Sequence, residues 1–234
     1  MAGPLWGPLL YNGAAVVGFL LASVYLCRSM RTVGVPIPRI ISVIIGGALV
    51  YTYGGAVLPY LVERHSSVEP GPFLDAGRYF HSAFLALLLY AVVVCKALRW
   101  PLWGGLDRFM IAAMLMSGVG RLGCYAAGCC EGKPIPWVRQ DPYFPTVRYP
   151  TQITMFLLEM GIAALLLRLH RRAGYDGQVF WSGVWLYSAY RIGIEVFRTN
   201  PPFLLGLTHA QVFSVLTLLA ASGILWARRE VRPA

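Results

Sequence analysis

Tyr187, Arg191 and Glu195 recur at i, i+4 and i+8 inside the apolar stretch 178–197. On a helix this spacing puts a phenol, a guanidinium and a carboxylate on one face. An arginine at the centre of a membrane-spanning helix costs at least about 2.5 kcal/mol if it faces lipid, so the face must turn towards protein or a polar cavity. Two readings follow. Arg191 and Glu195 form a structural pair that holds neighbouring helices together, or the face lines a functional cavity. Buried charge in a membrane tends to mark a site, which favours the cavity.

A second group runs Gly118-Val-Gly120-Arg121-Leu-Gly123-Cys124 and on through Gly128, Cys129, Cys130, Glu131 and Lys133. Glycines around an arginine let the backbone turn and approach a ligand closely. A guanidinium can hold a phosphate through two parallel hydrogen bonds. His81, just after Tyr79 and Phe80, titrates near neutrality and can take a proton from a nucleophile. The plain alternative for a lone histidine at a helix end is a wet side chain without a role.

Of the five cysteines, Cys27 and Cys95 lie in apolar runs and read as small buried hydrophobes. Cys124, Cys129 and Cys130 cluster in sequence, but their spacing is not the CxxC pairing of a structural zinc site. The adjacent pair is too strained to bridge itself, whereas Cys124 can reach either partner if the loop turns back. Structural thiols and a redox or thiol-transfer role both stay open.

These residues must be positioned by membrane helices. The 234-residue chain is 57% hydrophobic and 13% charged, with a mean hydropathy of +0.60, whereas soluble domains are about 25% charged. Seven apolar segments stand out, at 9–27, 40–62, 79–98, 106–120, 150–167, 178–197 and 208–227. Each approaches the roughly 20 residues that a spanning helix needs. The expected fold is therefore an all-α polytopic membrane helix bundle of about seven transmembrane helices, one domain over 1–234. The fourth segment is short and glycine-containing, so its ends are the hardest to fix.

The basic residues orient the bundle. Arg28, Arg31, Arg39, Lys96, Arg99, Arg108, Arg168, Arg171, Arg172, Arg228, Arg229 and Arg232 fall on one set of connections. Arg64, Arg78, Arg121, Lys133, Arg139, Arg148 and Arg198 fall on the other, and Arg191 lies within a span. The positive-inside bias then places the N-terminus outside and the C-terminus inside. Nothing basic precedes Leu26, so the start does not read as a standard signal peptide. His81, Arg121, Arg191 and Glu195 all map to the outer half. Trp6, Tyr11, Tyr79, Trp100, Trp103, Tyr149, Trp181 and Trp226 read as an interfacial aromatic belt. A net charge of +10 raises the question of nucleic acid. The arginines flank apolar runs, and no aromatic platform accompanies them, which argues against nucleic-acid binding.

At this point the residues resemble the prolipoprotein diacylglyceryl transferase family. Gly120-Arg121-Leu-Gly123 is similar to the start of the family signature. Phe80-His81 stands at the place of its Phe-His-Gly-Gly turn, and Tyr149-Pro150-Thr151-Gln152 resembles its His-Pro-Ser-Gln. Tyr187, Arg191 and Glu195, followed by Phe197-Arg198, resemble its Tyr…Arg…Glu-Phe-Phe-Arg helix. Leu207-Thr208-His209-Ala210-Gln211 resembles the Leu-Thr-Met-Gly-Gln that opens its last span. The resemblance covers roughly 79–214 by motif and the first two spans by pattern.

The resemblance implies transfer of a diacylglyceryl group from phosphatidylglycerol to the thiol of a prolipoprotein lipobox cysteine, with glycerol phosphate leaving. It implies no metal and no cofactor. The protein would sit in the plasma (inner) membrane with its site towards the outer leaflet. His81 would be the base, with Tyr187 assisting at the reacting carbon or headgroup. Arg121 and Arg191 would hold the phosphate and stabilise its developing charge, and Glu195 would orient Arg191. Gly120, Gly123, Gln152 and Arg198 complete the implied substrate-binding set.

The chain also departs from the family pattern. Where the family has Asn-Phe-Ile-Asn-Gly-Glu, this sequence has Cys124-Tyr-Ala-Ala127-Gly128-Cys129, and two glycines after the histidine are Ser82 and Ala83. Glu131 does not simply stand in for the missing carboxylate. A phospholipid-dependent transferase with another acceptor is therefore the competing enzyme reading. A transporter or lipid-binding accessory protein is the non-enzymatic one, disfavoured by polar residues gathered on one side.

Overall fold

The computed structural model describes residues 6–63, 80–138 and 146–230, with side chains placed for all of these except 6, 8, 52–63, 80–84, 229 and 230. Arg64, Arg78, Tyr79, Arg139 and Arg232 lie outside the described residues, as do the side chains of Trp6, Phe80, His81, Ser82, Ala83 and Arg229. Among the described residues there are seven helices: α1 (Trp6–Arg31), α2 (Ile37–Glu63), α3 (Phe80–Ala97), α4 (Leu102–Ala126), α5 (Thr151–His170), α6 (Gln178–Glu195) and α7 (His209–Glu230). No strand forms among the described residues; there are only isolated bridges.

Each expected apolar segment carries one helix. Four of them, Leu9–Arg31, Leu102–Ala126, Thr151–His170 and His209–Arg228, are long and apolar enough to cross a membrane. Two further apolar stretches, Ile37–Tyr51 and Leu85–Ala97, are shorter. In α6, the charges of Arg191 and Glu195 and a run of serines, tyrosines and tryptophans dilute the apolar character. The fourth helix corrects the expectation. It does not stop at 120 but runs through Gly120, Arg121 and Gly123 to Ala126. Helical hydrogen bonding outweighs the glycine penalty of about 1 kcal/mol per residue, and the turn falls later, at Gly128, where φ is +64°.

The chain gathers into two compact units, Ser23–Phe109 and Met1–Ala22 with Met110–Ala234. In the first, α2 packs on α3, and the Tyr90 hydroxyl donates to the Val43 carbonyl at 3.0 Å. Cys95 is buried there as expected, whereas Cys27 is only half-buried, because most of α1 faces outwards.

In the second unit α6 lies against both α5 and α7. Ser188 and Thr217 join α6 to α7 through their hydroxyls at 2.8 Å, and the Trp185 indole donates to Ser222 at 3.0 Å. Met110, Ile111, Met114, Met155, Leu166 and Val179 fill the core. Outside it, Leu9, Val16, Leu20, Leu157, Leu165, Leu216 and Leu219 are all exposed. Apolar rows of this kind on several helices suit lipid rather than water.

Gly123 fixes one helix crossing. A Cβ there would come within 3.0 Å of the Tyr11 carbonyl oxygen and 3.1 Å of the Ala14 side chain on α1, the close approach that small residues allow between membrane helices. Gly123→Val is expected to cost about 1–3 kcal/mol through overpacking, read as a lower melting temperature in detergent. A variant that melts with the wild type would show that α1 can move aside at no cost.

Candidate functional site

The site is built on α4, α5 and α6 within the second unit, and two buried carboxylates organise it. Glu195, in the last turn of α6, is completely buried. Its Oε2 lies 2.7 Å from Arg191 Nη1 and 3.5 Å from Arg198 Nε. Its Oε1 accepts hydrogen bonds from the Thr208 hydroxyl at 3.0 Å and from the Asn200 amide. Thr208 is held in turn by a reciprocal cap at the start of α7: its N–H donates to Gln211 Oε1 at 3.0 Å, and its hydroxyl accepts from the Gln211 N–H at 3.3 Å. This is the capping-box arrangement. The motif Leu207–Gln211 thus starts α7 and delivers a hydroxyl to Glu195.

Glu159, on α5, is the second carboxylate and is also completely buried. Arg121 Nε lies 3.4 Å from its Oε1, which also accepts from the Tyr190 hydroxyl. Tyr187 and Tyr190, one helical turn apart, meet edge to face at 5.1 Å between ring centres. The buried Tyr187 hydroxyl lies beside Tyr190 and within electrostatic reach of Glu159, Arg121 and Arg191, so it links the two carboxylate groups.

The result is a charge imbalance withdrawn from solvent. Arg121, Arg191 and Arg198 have side chains 13%, 8% and 12% exposed, against two carboxylates at 0%. Three guanidiniums outnumber two carboxylates. Leaving a surplus positive charge in a low-dielectric region is costly, and an anionic ligand would offset it.

The other expected site residues occupy varied positions. A Cβ on Gly120 would meet nothing within 4 Å, so this glycine leaves open space beside Arg121. Gly123 faces α1 instead. Gln152 is buried, and its amide donates to the Cys129 carbonyl at 2.7 Å. This bond ties the loop after α4 to the first turn of α5. His81 lies in the first turn of α3, in the other unit, and its side chain is outside the described residues. Glu131 lies 3.2 Å from Arg148 in a half-exposed pair. Glu159 supplies a carboxylate to Arg121 instead.

The loop after α4 is tied to the end of α6. Gly132 N–H donates to the Tyr149 carbonyl at 3.2 Å, and Lys133 N–H to the Phe197 carbonyl at 2.7 Å. A Cβ on Gly132 would come within 2.9 Å of both carbonyl oxygens, so only glycine fits this seam. The loop carries Cys129 and Cys130 up to Cys124. The three thiols lie within hydrogen-bonding reach of one another.

The sequence profile of the prolipoprotein diacylglyceryl transferase family matches residues 9–227. The chain belongs to this family. It is similar to a phosphatidylglycerol–prolipoprotein diacylglyceryl transferase of Clostridium tetani, with 29% identity over 84% of each chain. The enzyme of the same name from Geobacter sulfurreducens is 29% identical over 97% of this chain and 93% of its own. The one from Marinomonas sp. is 26% identical over 96% and 90%. Family membership and four spanning-length apolar helices make the chain an integral membrane protein. In this member of the prolipoprotein diacylglyceryl transferase family, the signature from Gly120 to Gly123 is helical, and it presents Arg121 to a carboxylate from another helix.

Glu159 and Tyr190 were not among the residues singled out from the sequence. Glu159 is the one acidic residue in the apolar stretch 150–167, so the cost of intramembrane charge that drew attention to Arg191 applies to it equally. Tyr190 lies at i+3 from Tyr187, the other helical neighbour spacing.

Proposed function

We propose that this chain transfers the diacylglyceryl group of phosphatidylglycerol to the lipobox cysteine thiol of a prolipoprotein, releasing glycerol phosphate. Three mostly buried guanidiniums set against two buried carboxylates are the observation that carries this reading. They offer a net positive, largely dry environment to a phosphate headgroup, where fixed cations act most strongly on developing charge. Family membership supports the same reaction.

In the proposed reaction His81 accepts the proton of the lipobox thiol, because the thiolate is the reactive species. The sulfur attacks the glyceryl carbon that bears the phosphate. A carbon–sulfur bond forms, the carbon–oxygen bond breaks, and glycerol phosphate carries the electron pair away. Arg121 and Arg191 hold the phosphate oxygens, Arg198 adds a third cation, and Tyr187 donates at the headgroup. Glu195 orients Arg191, and Glu159 orients Arg121. Gly120 gives the headgroup room. Gly123 and Gln152 act by positioning α1 and the loop after α4.

The same reading takes the seven helices as seven spans of one transmembrane domain over 1–234. The N-terminus is outside, the C-terminus inside, and the site faces the outer leaflet of the inner membrane. The partners are phosphatidylglycerol, the lipobox segment and the surrounding bilayer.

The test is transfer of label from radiolabelled phosphatidylglycerol to a lipobox peptide by the chain in liposomes. Label on the peptide cysteine is expected, falling about 10²–10⁴-fold in His81→Ala through loss of the base. A folded wild type that binds the lipid yet labels no peptide would redirect the assignment to another acceptor.

A further inference from the structure

The departures from the family signature replace two amides and a carboxylate with Cys124, Ala127 and Cys129, and the next residue is Cys130. All five cysteines of the chain are free thiols. The Sγ atoms of Cys124, Cys129 and Cys130 all lie within 4.8 Å of one another. Backbone geometry brings them there. At the end of α4, Gly128 N–H donates to the Tyr125 carbonyl at 3.1 Å, and Cys129 N–H to the Cys124 carbonyl at 3.0 Å. With Gly128 at φ +64°, this is a Schellman closure. It folds Cys129 back over Cys124.

Cys130 then adopts φ +60°, a left-handed conformation that costs a non-glycine residue on the order of 1–3 kcal/mol and persists only where its surroundings enforce it. The first turn of α5 does so. The Thr151 hydroxyl donates to the Cys130 carbonyl at 2.8 Å, and the Gln152 amide to the Cys129 carbonyl at 2.7 Å. Both side chains are buried. A strained turn, two buried clamps and three converging sulfurs are more than three structural thiols need.

We propose that Cys124, Cys129 and Cys130 form a three-thiolate site for a soft, thiophilic cation, with Cu(I) as its best occupant. Thiolate–metal bonds of about 2.3 Å place three sulfurs around one ion at separations of roughly 4 Å, which needs only a small contraction here. Thiolates select Cu(I), zinc or iron–sulfur centres. Structural zinc takes four ligands, and no histidine or carboxylate joins the three sulfurs among the described residues. Three-coordinate Cu(I) fits that set better. The lack of CxxC spacing argued against a metal; here the turn, and not the spacing, assembles the ligands. Cys124 is buried while Cys129 and Cys130 are half-buried, so the ion would enter from the loop side.

The test uses the purified full-length chain in detergent under reducing, anaerobic conditions and needs no transferase activity. Cu(I) is titrated against bicinchoninate, a chromogenic chelator. One equivalent withdrawn from the chelator is expected, with affinity falling roughly tenfold or more in each of Cys124→Ser, Cys129→Ser and Cys130→Ser. Thr151→Val, which keeps every sulfur but loosens the clamp, is expected to lose roughly tenfold. Cys27→Ser is expected to leave the affinity unchanged. In the wild type itself, bound Cu(I) should protect these three thiols, and not Cys27, from N-ethylmaleimide. A folded wild type that withdraws no Cu(I) overturns the site. So does binding that survives all three serine changes together. A bridge from Cys124 to Cys129 or Cys130 in protein alkylated at lysis also overturns it, in favour of a redox pair.

Discussion

Arg191→Lys is expected to lower kcat for transfer about 10²–10³-fold, the effect typical of losing one preorganised donor to a developing anion, while the protein still inserts and folds. Lysine keeps the positive charge but loses the planar fork that grips two phosphate oxygens at once. The fold survives because Glu195 does not depend on Arg191 alone: Arg198, Asn200 and Thr208 also reach its two oxygens. The measurement is steady-state transfer to a lipobox peptide, with kcat and KM separated and the melting temperature followed in parallel. A fall in kcat at constant melting temperature places Arg191 on the reacting phosphate. Full activity in the lysine variant would make the Arg191–Glu195 pair a helix brace and return the choice between the two readings of this face to the structural one.

That choice shows what the sequence carried and what it did not. The seven helices were legible because each apolar run is long enough to register on its own. The Arg191–Glu195 pair was legible because its members are four residues apart, one turn of helix. The Arg121–Glu159 pair links residues 38 apart. No periodicity joins them, and only the packing of α4 against α5 does. The end of α4 was misjudged because Gly118, Gly120 and Gly123 read as breakers. Instead Gly123 packs against Tyr11 and Ala14 on α1 and Gly118 against Met160 on α5, while Gly120 leaves open space. Thr208 and Gln211 matched a motif, but their use became clear only with α7 capped and Glu195 within reach of the same hydroxyl. The convergence of three sulfurs was hidden for a related reason. It depends on a Schellman turn and a left-handed Cys130, and linear spacing encodes neither.

Glu159→Ala is expected to destabilise the protein by about 3–5 kcal/mol, the usual cost of removing one partner from a buried ion pair. The change takes the carboxylate from the Arg121 guanidinium, only 13% exposed, and the acceptor from the Tyr190 hydroxyl. Neither donor can turn to water at that depth without moving. Thermal or denaturant unfolding in detergent measures the loss. The double variant Arg121→Ala with Glu159→Ala separates pairing from packing, because it removes the buried charge together with its partner. It should recover part of the stability lost in the single variant and none of the transfer activity. Glu159→Gln preserves shape and one hydrogen-bond acceptor, so it should fall between wild type and alanine. Such an ordering of the four proteins would make Glu159 the carboxylate that sets Arg121 in place from α5. A single alanine variant within about 0.5 kcal/mol of wild type, the range of ordinary surface substitutions, would mean instead that Arg121 is held by its remaining neighbours and that Glu159 is dispensable to the site.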